Sequence, residues 1–457
     1  MKTTDEPDSA NTPETKGGLR ARLPALLRGD LVSSGEAASP ASGEEYAAQP
    51  VPAERQVHWP AVAIISAMVA FSLPTFITGA EVFLASSNDD AIVAVVTGCL
   101  ALALIASISG AIGAATHLSS YMLTRIAFGN RGAAFVNLAF AVSLLGWFGV
   151  NIDLFGGALQ RLLGEGLGLH PPLWLIELGA GAAMTATTIY GFRAINLLST
   201  LLVPVMMVTT ALLLAAALDL RDLSASFAVQ QASTLSLGDA ISSVIGGMIV
   251  GAVILPDVTR FLRDWRGAVY TALLSYVAVQ TLVMTVGGLA ADALGNDDFL
   301  DVMLVLGMSA AAFVIVIAGS WVLNSLNLYS ATLSVEATTQ RLPNTPLIVL
   351  LGALGTVAAF FNILDAFLTF LFYLAIVFVP VAGVIAVDYL FVRRDAYGRL
   401  DSIDSMRASA LGAWLLGSAI ALLGAEGVIS GSGIAALDAM LAAALGYFLL
   451  ARLGPST

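Results

Sequence analysis

Charge is scarce in this sequence, and its scarcity excludes an ordinary soluble globular protein. Only 11% of the 457 residues are charged and 58% are hydrophobic, whereas soluble domains carry about 25% charged residues. Cysteine is nearly absent: Cys99 is the single one and lies in an apolar run, which excludes a disulfide framework. The three histidines lack the i,i+4 spacing of a helical metal pair. We therefore expect a multi-pass membrane protein with no metal site.

Long apolar runs account for most of the remaining chain. A helix needs about 20 apolar residues to cross a bilayer, and runs of this kind lie near 59–85, 91–114, 133–159, 172–191, 195–218, 238–256, 267–291, 303–333, 345–362, 364–387, 407–425 and 433–453. Residues 1–56 contain no such run and are rich in small and polar residues, which is typical of a disordered tail. The sequence thus predicts an all-α membrane protein with twelve transmembrane helices and a disordered cytoplasmic tail.

Two of these runs carry helix-breaking residues near their middle. The sixth contains Gly246, Gly247, Gly251 and then Pro256, and the first contains the stretch 72–81 with a proline and a glycine. An unwound backbone within a membrane is tolerated only where protein or a water-filled cavity satisfies its polar groups, so such spans indicate a binding site. We therefore expect both helices to be broken there.

The positions of the two interrupted runs, first and sixth, indicate a repeat of five helices. An odd number of helices inverts the second copy, which is typical of secondary transporters. We expect a first repeat over 57–218, an inverted second repeat over 219–390 and two additional helices over 391–457. Most arginines outside the tail follow even-numbered spans, the sixth span or the last span. By the positive-inside rule, both termini are expected in the cytoplasm.

Uncharged polar side chains within the spans predict the kind of substrate. Trp147 and Asn151 are one turn apart in the third span, and Asn324 and Asn327 are three residues apart in the eighth. Aromatic and amide groups without a cationic side chain at depth favour a small, planar, neutral, hydrogen-bonding ligand. The alternatives are that Trp147 packs or lies at an interface, and that the asparagines join helices at about 0.6 kcal/mol each.

Among the carboxylates in or beside the spans, Glu81, Asp153 and Asp257 bear on function. Glu81 and Asp153 are candidates for binding a coupling proton, because ionisable groups within membranes are costly and commonly functional. Solvation at a helix end is the alternative for both. Asp257 and Arg260, one turn apart, are expected to form a structural pair at the inner end of the sixth helix.

Several stretches of the chain resemble a known family, the nucleobase:cation symporters of the purine-cytosine permease type, and within it the bacterial cytosine permeases. The resemblance extends over about 60–455 and rests on five stretches in order, Leu123–Gly132, Gly146–Val150, Asp257–Phe261, Trp321–Tyr329 and Pro380–Tyr389. It implies a leucine-transporter-like fold in the bacterial inner membrane and the import of cytosine or a related purine- or pyrimidine-like heterocycle. Coupling to a proton or sodium ion is implied, with no other cofactor.

The same resemblance implies a substrate site. Trp147 matches the tryptophan that stacks on the base, Gly247, Met248 and Gly251 line the base, and Asn324 matches an amide that reads its edge. To this site we also assign three further residues, Phe76, Asn151 and Asn327.

Departures from the family pattern modify these expectations. Met248 replaces the second aromatic group, and Asn151 resembles an amide of relatives that transport hydantoins. Val322 and Leu323 replace two hydroxyl residues of sodium-coupled members, which favours proton coupling through Glu81.

The alternatives to a base importer are importers of hydantoin, allantoin or thiamine, and a membrane sensor that keeps the fold without transporting. No arrangement typical of an enzyme is present in the sequence. The expected partners are the lipid bilayer and a small neutral heterocycle, without nucleic acid, and the sequence predicts no oligomeric state.

Overall fold

The computed structural model describes residues 49–190, 192–220, 234–296, 298–339, 343–361, 367–400 and 403–453, and these residues are almost entirely helical. Most of the predicted N-terminal tail lies outside them. The helices are α1 (Trp59–Ala70), α2 (Leu73–Ala85), α3 (Asn88–Thr116), α4 (Ser120–Phe128), α5 (Asn130–Leu167), α6 (Leu173–Ile189), α7 (Phe192–Leu220), α8 (Leu237–Val253), α9 (Pro256–Thr259), α10 (Trp265–Leu294), α11 (Phe299–Val305), α12 (Ala311–Glu336), α13 (Asn344–Phe361), α14 (Phe367–Val392), α15 (Ala408–Ala425) and α16 (Ala435–Leu453).

Length and composition identify the helices that can cross a membrane. Within the described residues, ten spans are long and apolar enough, and the bent pair α1 and α2 makes an eleventh if it forms one span. Helix α6 is apolar but has only 17 residues. The single span expected over 303–333 is divided into two helices in the structure. Helix α11 ends at Val305, Gly307 follows with a φ of 70°, and α12 begins at Ala311. A positive φ interrupts a helix at low cost only at glycine.

The predicted break in the first span is present, at the start of the stretch 72–81. Helices α1 and α2 meet at an angle of 51° across Phe71 and Ser72. Pro74 lies in the first turn of α2, where a missing N–H costs nothing. The Ser72 and Thr75 hydroxyls are 2.9 Å apart, and Thr78 Oγ1 donates to the Pro74 carbonyl at 2.8 Å. Backbone N–H groups of Thr75 and Phe76 donate to the Ser72 carbonyl, so the second half of the span begins directly at the break.

The predicted break in the sixth span is present at the proline end of the glycine-rich run. Helix α8 continues through all three glycines to Val253, and the interruption is at Ile254 and Leu255, immediately before α9. Pro256 has no N–H to donate to the Ala252 carbonyl, and Ser109 Oγ of α3 donates to that carbonyl at 2.6 Å instead. The proline thus ends the helix, whereas the three glycines lie within it.

The glycines instead allow helices to approach closely. A Cβ atom on Gly246 would collide with the Leu371 carbonyl of α14, and one on Gly79 of α2 would collide with the Met284 backbone of α10. Small residues at such contacts are typical of membrane helix packing. Helix α8 thereby packs on α3 and α14, α2 packs on α10, and α5 packs on α12. The space left between these helices is the cavity described next.

Candidate functional site

A cavity lies beside both helix breaks, between α1, α2, α5, α8, α10 and α12. It holds about 820 Å³ of space, part of which is open to solvent. Apolar side chains cover most of its wall. The polar and aromatic side chains that line it are Ser66, Ser72, Thr75, Thr78, Trp147, Asp257, Tyr276, Asn327 and Ser330. A largely apolar cavity with a few convergent polar groups is the usual form of a small-molecule site.

Trp147 forms one wall of the cavity, together with Leu144 one turn earlier on α5. The indole is 6% exposed. Its outer side packs edge-to-face on two rings of α14, with ring centroids 5.5 Å from Phe370 and 6.1 Å from Phe367. These contacts hold the indole plane in place, so that it presents an aromatic surface to the cavity.

Helices α8 and α10 supply a further part of the wall. Gly247, Met248 and Gly251, the residues predicted to line the base, all line this cavity. Tyr276 of α10 also lines the cavity beside Gly251, and a Cβ on that glycine would lie at an ordinary contact distance of 3.4 Å from the phenol oxygen. Tyr276 is 4% exposed and belongs to a π-helical segment of α10. An aromatic ring that sequence reasoning missed thus joins Met248 at the cavity.

The three predicted amides have different positions. Asn327 lines the cavity, and its buried Nδ2 has no hydrogen-bond partner. Asn151 is fully buried and donates to the Trp147 carbonyl at 2.8 Å. Asn324 donates to the Phe148 carbonyl at 3.0 Å. Asn151 and Asn324 do not line the cavity, because both donate to the backbone of the same helix, α5. Their Oδ1 atoms lack a partner.

Phe76, Glu81 and Asp153 also lie away from the cavity wall. Phe76 is fully buried, and its backbone packs where Gly287 of α10 leaves room. Glu81 is half-buried in the second half of α2. Asp153 of α5 interacts electrostatically with Glu177 of α6. The assignment of Glu81 and Asp153 to cation coupling stays a prediction, and neither carboxylate reaches the cavity in this structure.

Asp257 lines the cavity from α9, three residues before Arg260. Its carboxylate is 1% exposed and accepts hydrogen bonds from Ser120 and Ser330. The expected pair with Arg260 takes the form of a hydrogen bond from Arg260 Nε to the Asp257 carbonyl, 3.1 Å long. Arg260 is fully buried but does not line the cavity.

Helix α12 faces the first break with aliphatic side chains. Leu323 lines the cavity, and Val322 is fully buried beside it. Gly319, one turn earlier, leaves room for the Phe71 carbonyl at the break, since a Cβ there would lie 2.6 Å from that oxygen. The positions 322 and 323 thus supply no oxygen ligand to a cation at the break.

The chemistry of the wall suits a small neutral molecule. Among the lining residues that the structure describes there is no lysine or arginine, and Asp257 is the sole carboxylate. Hydroxyls and one free amide offer hydrogen bonds, and aromatic faces offer stacking. Within the same described part of the chain, no cluster of metal-ligating side chains is present.

Comparison with known proteins places the chain in a family. The sequence profile described as "permease for cytosine/purines, uracil, thiamine, allantoin" matches residues 50–450. The cytosine permease of Escherichia coli K12 is 30% identical over 405 residues, which cover 88% of this chain and 93% of that protein. A putative purine-cytosine permease of Bacillus subtilis is 25% identical over 67% of this chain and 70% of that protein.

Solved structures show the same fold. The nucleobase-cation-symport-1 transporter Mhp1, in a closed conformation with bromovinylhydantoin bound, matches with a TM-score of 0.77 at 19% identity, over 92% of this chain and 97% of that one. A Na⁺-coupled sialic acid symporter matches with a TM-score of 0.66 at 13% identity, over 87% of this chain and 90% of that one. The profile match over most of the sequence decides the assignment: the chain belongs to the family of permeases for cytosine/purines, uracil, thiamine and allantoin.

Proposed function

We propose that this protein imports a nucleobase, or a closely related heterocycle, across the bacterial inner membrane by symport with a cation. The observation that carries the proposal is the cavity beside the two helix breaks, with Trp147 on one wall, in a chain of the permease family. The cytosine permease of E. coli and the nucleobase-cation symporter Mhp1 support the same conclusion. Family membership also favours a transporter over an enzyme.

Within the cavity, the base stacks on Trp147 and contacts Gly247, Met248 and Gly251. Asn327 is the amide best placed to bind the base edge, because its Nδ2 faces no other partner. Leaving a buried amide donor unpaired costs about 1–3 kcal/mol, and a bound heterocycle with a carbonyl acceptor would recover it. Asn151, Asn324 and Phe76 shape the site from behind, the two amides by fixing the α5 backbone around Trp147.

The membrane arrangement that we propose has twelve crossings. The ten single spans, the bent pair α1 and α2, and α6 make up this number. Inverted repeats over 57–218 and 219–390, followed by 391–457, would bring the first and sixth spans together, and both helix breaks line one cavity. The positive-inside rule supports cytoplasmic termini.

The coupling cation is proposed to be a proton. Sodium favours hard oxygen ligands, and Val322 and Leu323 offer none at the break in the first span. Backbone carbonyls and the hydroxyls of Ser72 and Thr75 remain there as oxygen ligands, so uptake is to be measured both with sodium and with choline in its place.

The test is a panel of heterocycles measured with the purified protein. Thermal stabilisation by cytosine, uracil, purines, hydantoin, allantoin and thiamine ranks the ligands, and uptake of the labelled best ligand into proteoliposomes establishes transport. The proposal expects stabilisation by at least one base and saturable uptake. Stabilisation without any uptake would favour a sensor, and a best ligand outside the nucleobases would move the substrate to hydantoin, allantoin or thiamine.

A further inference from the structure

The floor of the cavity contains a carboxylate that base binding does not explain. Asp257 comes immediately after Pro256, the proline at the break in the sixth span, and it is 1% exposed. It is the sole carboxylate among the described cavity residues, whereas Glu81 and Asp153 lie elsewhere. A neutral base needs no buried negative charge, and such a charge is costly to keep within a membrane.

The hydrogen bonds of Asp257 join three separate elements beneath the cavity. Its Oδ1 accepts from the backbone N–H of Ser120 at 3.0 Å and from the Ser120 hydroxyl at 2.7 Å, both at the start of α4. Its Oδ2 accepts from the Ser330 hydroxyl of α12 at 3.2 Å. We call these three bonds the floor contact. Hydrogen bonds to an ionised carboxylate are about twice as strong as neutral ones, so the charge on Asp257 holds α4 and α12 against α9.

Other ionisable groups surround the floor contact. They are Arg260 at the end of α9, Tyr121 of α4, Tyr329 of α12, Tyr276 of α10 and His117 at the end of α3. Arg260 donates to the Tyr329 phenol at 3.2 Å and to the Asp257 carbonyl, and its own carbonyl contacts His117 Nδ1 at 3.0 Å. Arg260 also interacts electrostatically with the Asp257 carboxylate. Its bonds to Tyr329, to the Asp257 carbonyl and to His117 do not use the carboxylate oxygens, so protonation of Asp257 acts directly on the floor contact.

We propose that Asp257 binds the proton that is transported with the base, and that its protonation releases the floor contact. In this step a proton from the cavity binds one carboxylate oxygen and forms a neutral carboxylic acid. The acid holds Ser120 and Ser330 less strongly, so that the floor opens once the base is bound. Water on the far side then removes the proton, and the restored carboxylate closes the floor again. The inference rests on the proposed function and gives that site its coupling residue.

The direction of transport follows from where Asp257 lies. The positive-inside rule assigns the end of α9, with Arg260 and Arg263, to the cytoplasmic side. The floor contact therefore separates the cavity from the cytoplasm. A contact that is strong without the proton and weak with it allows inward opening mainly for the protonated carrier, which is the requirement for proton symport.

The first experiment uses Asp257→Asn, which resembles the neutral acid in shape but cannot gain or lose a proton. Labelled base is measured in sodium-free proteoliposomes, as accumulation driven by an inward proton gradient and as exchange of base for base. The variant is expected to lose gradient-driven accumulation by at least about tenfold, to keep exchange, and to bind base with an affinity that no longer varies with pH. Asp239→Asn, the same change at the other end of the sixth span, serves as the matched control.

Two results would overturn the inference. The first is accumulation by Asp257→Asn equal to that of the wild type. The second is a loss of accumulation in Glu81→Gln or Asp153→Asn but not in Asp257→Asn. If Asp257→Asn fails to fold, Ser330→Ala removes one bond of the floor contact and leaves the carboxylate intact. That variant is expected to respond to the proton gradient but to leak base outward several-fold faster. Efflux at the wild-type rate would contradict the role of the floor contact.

These outcomes are distinct from a failure of the proposed function. A wild-type protein that neither binds nor takes up any base would refute base import itself. A wild-type protein that accumulates base, together with an Asp257→Asn variant that accumulates it equally well, would refute only the coupling role of Asp257.

Discussion

The hydroxyl of Ser109 on α3 donates a hydrogen bond of 2.6 Å to the carbonyl of Ala252 on α8, the oxygen that Pro256 leaves without a backbone donor. The break in the sixth span is therefore stabilised from a neighbouring helix. Thr259 Oγ1 makes a second such bond, 3.0 Å long, to the Gly110 carbonyl of α3. The segment that ends the cavity is thus fixed to α3 at two adjacent points, Ser109 and Gly110.

The first prediction concerns the stability of this break. Ser109→Ala leaves the Ala252 carbonyl unpaired, and we expect a loss of about 1–3 kcal/mol in the free energy of unfolding. Thermal unfolding in detergent measures the change, with Ser107→Ala on the same helix as the control. Equal stability of the two variants would show that the bond is not needed.

The second prediction tests the stacking wall. Trp147→Ala should weaken base binding by about 1–3 kcal/mol, which corresponds to roughly a 5- to 150-fold rise in Kd. Trp174→Ala, the same change at a tryptophan that is 56% exposed on α6, should leave binding unchanged. A calorimetric titration of both variants decides the matter. Wild-type affinity in Trp147→Ala would remove this residue from the site.

The third prediction concerns substrate choice. Met248 is flexible and packs on a ring less selectively than an aromatic side chain does. Met248→Phe or Met248→Trp should shift the ranking of the heterocycle panel towards cytosine, whereas Met207→Phe, at an exposed methionine of α7, should not. The measurement is the ligand ranking by thermal stabilisation, and an unchanged ranking would show that Met248 does not contact the substrate.

The fourth prediction concerns Asp388, a fully buried carboxylate at the end of α14. It accepts hydrogen bonds from Tyr397 at 2.9 Å and Tyr447 at 2.6 Å, and it pairs with Arg393 at 3.1 Å and Arg407 at 3.0 Å. Burial and the charge of Asp388 raise the pKa of Tyr397 well above its ordinary value, so the phenol remains a donor.

Both arginines of this cluster also reach the end of α4. Arg393 donates to the Ile126 carbonyl at 2.6 Å, and Arg407 to the Ala127 carbonyl at 3.4 Å. Because Asp388→Asn removes the charge that holds both guanidinium groups, we expect a loss of about 3 kcal/mol in the free energy of unfolding. Asp395→Asn, in the exposed turn that follows α14, should cost far less, and denaturation in detergent compares the two.

The sequence predicted the helices and the two breaks because these depend on local patterns. Apolar runs indicated the spans, and a proline in each of two spans indicated the breaks. The effect of Gly246 could not be read locally, because it depends on the Leu371 carbonyl of a helix more than a hundred residues away. Between membrane helices, a glycine can allow two backbones to approach closely as well as make its own helix flexible.

The missed cavity residues have a similar explanation. Tyr276 and Asp257 belong to different elements, and only the packing of α8 on its neighbours turns both side chains towards one space. A tyrosine in the middle of an apolar span was a usable signal for the first. The second was noticed in the sequence as one half of a pair with Arg260, and the two groups do interact electrostatically. The hydrogen bonds from Ser120 and Ser330 could not be read from that spacing.

Uptake of labelled cytosine by the wild-type protein in proteoliposomes tests the central claim most directly. The measurement uses an imposed inward proton gradient, with choline in place of sodium, and empty liposomes as the control. We expect accumulation above the equilibrium level that collapses when a protonophore removes the gradient, and competition by unlabelled nucleobases. Uptake that never exceeds that of empty liposomes, for cytosine and for every competing base whether sodium is present or not, would contradict cation-coupled nucleobase import.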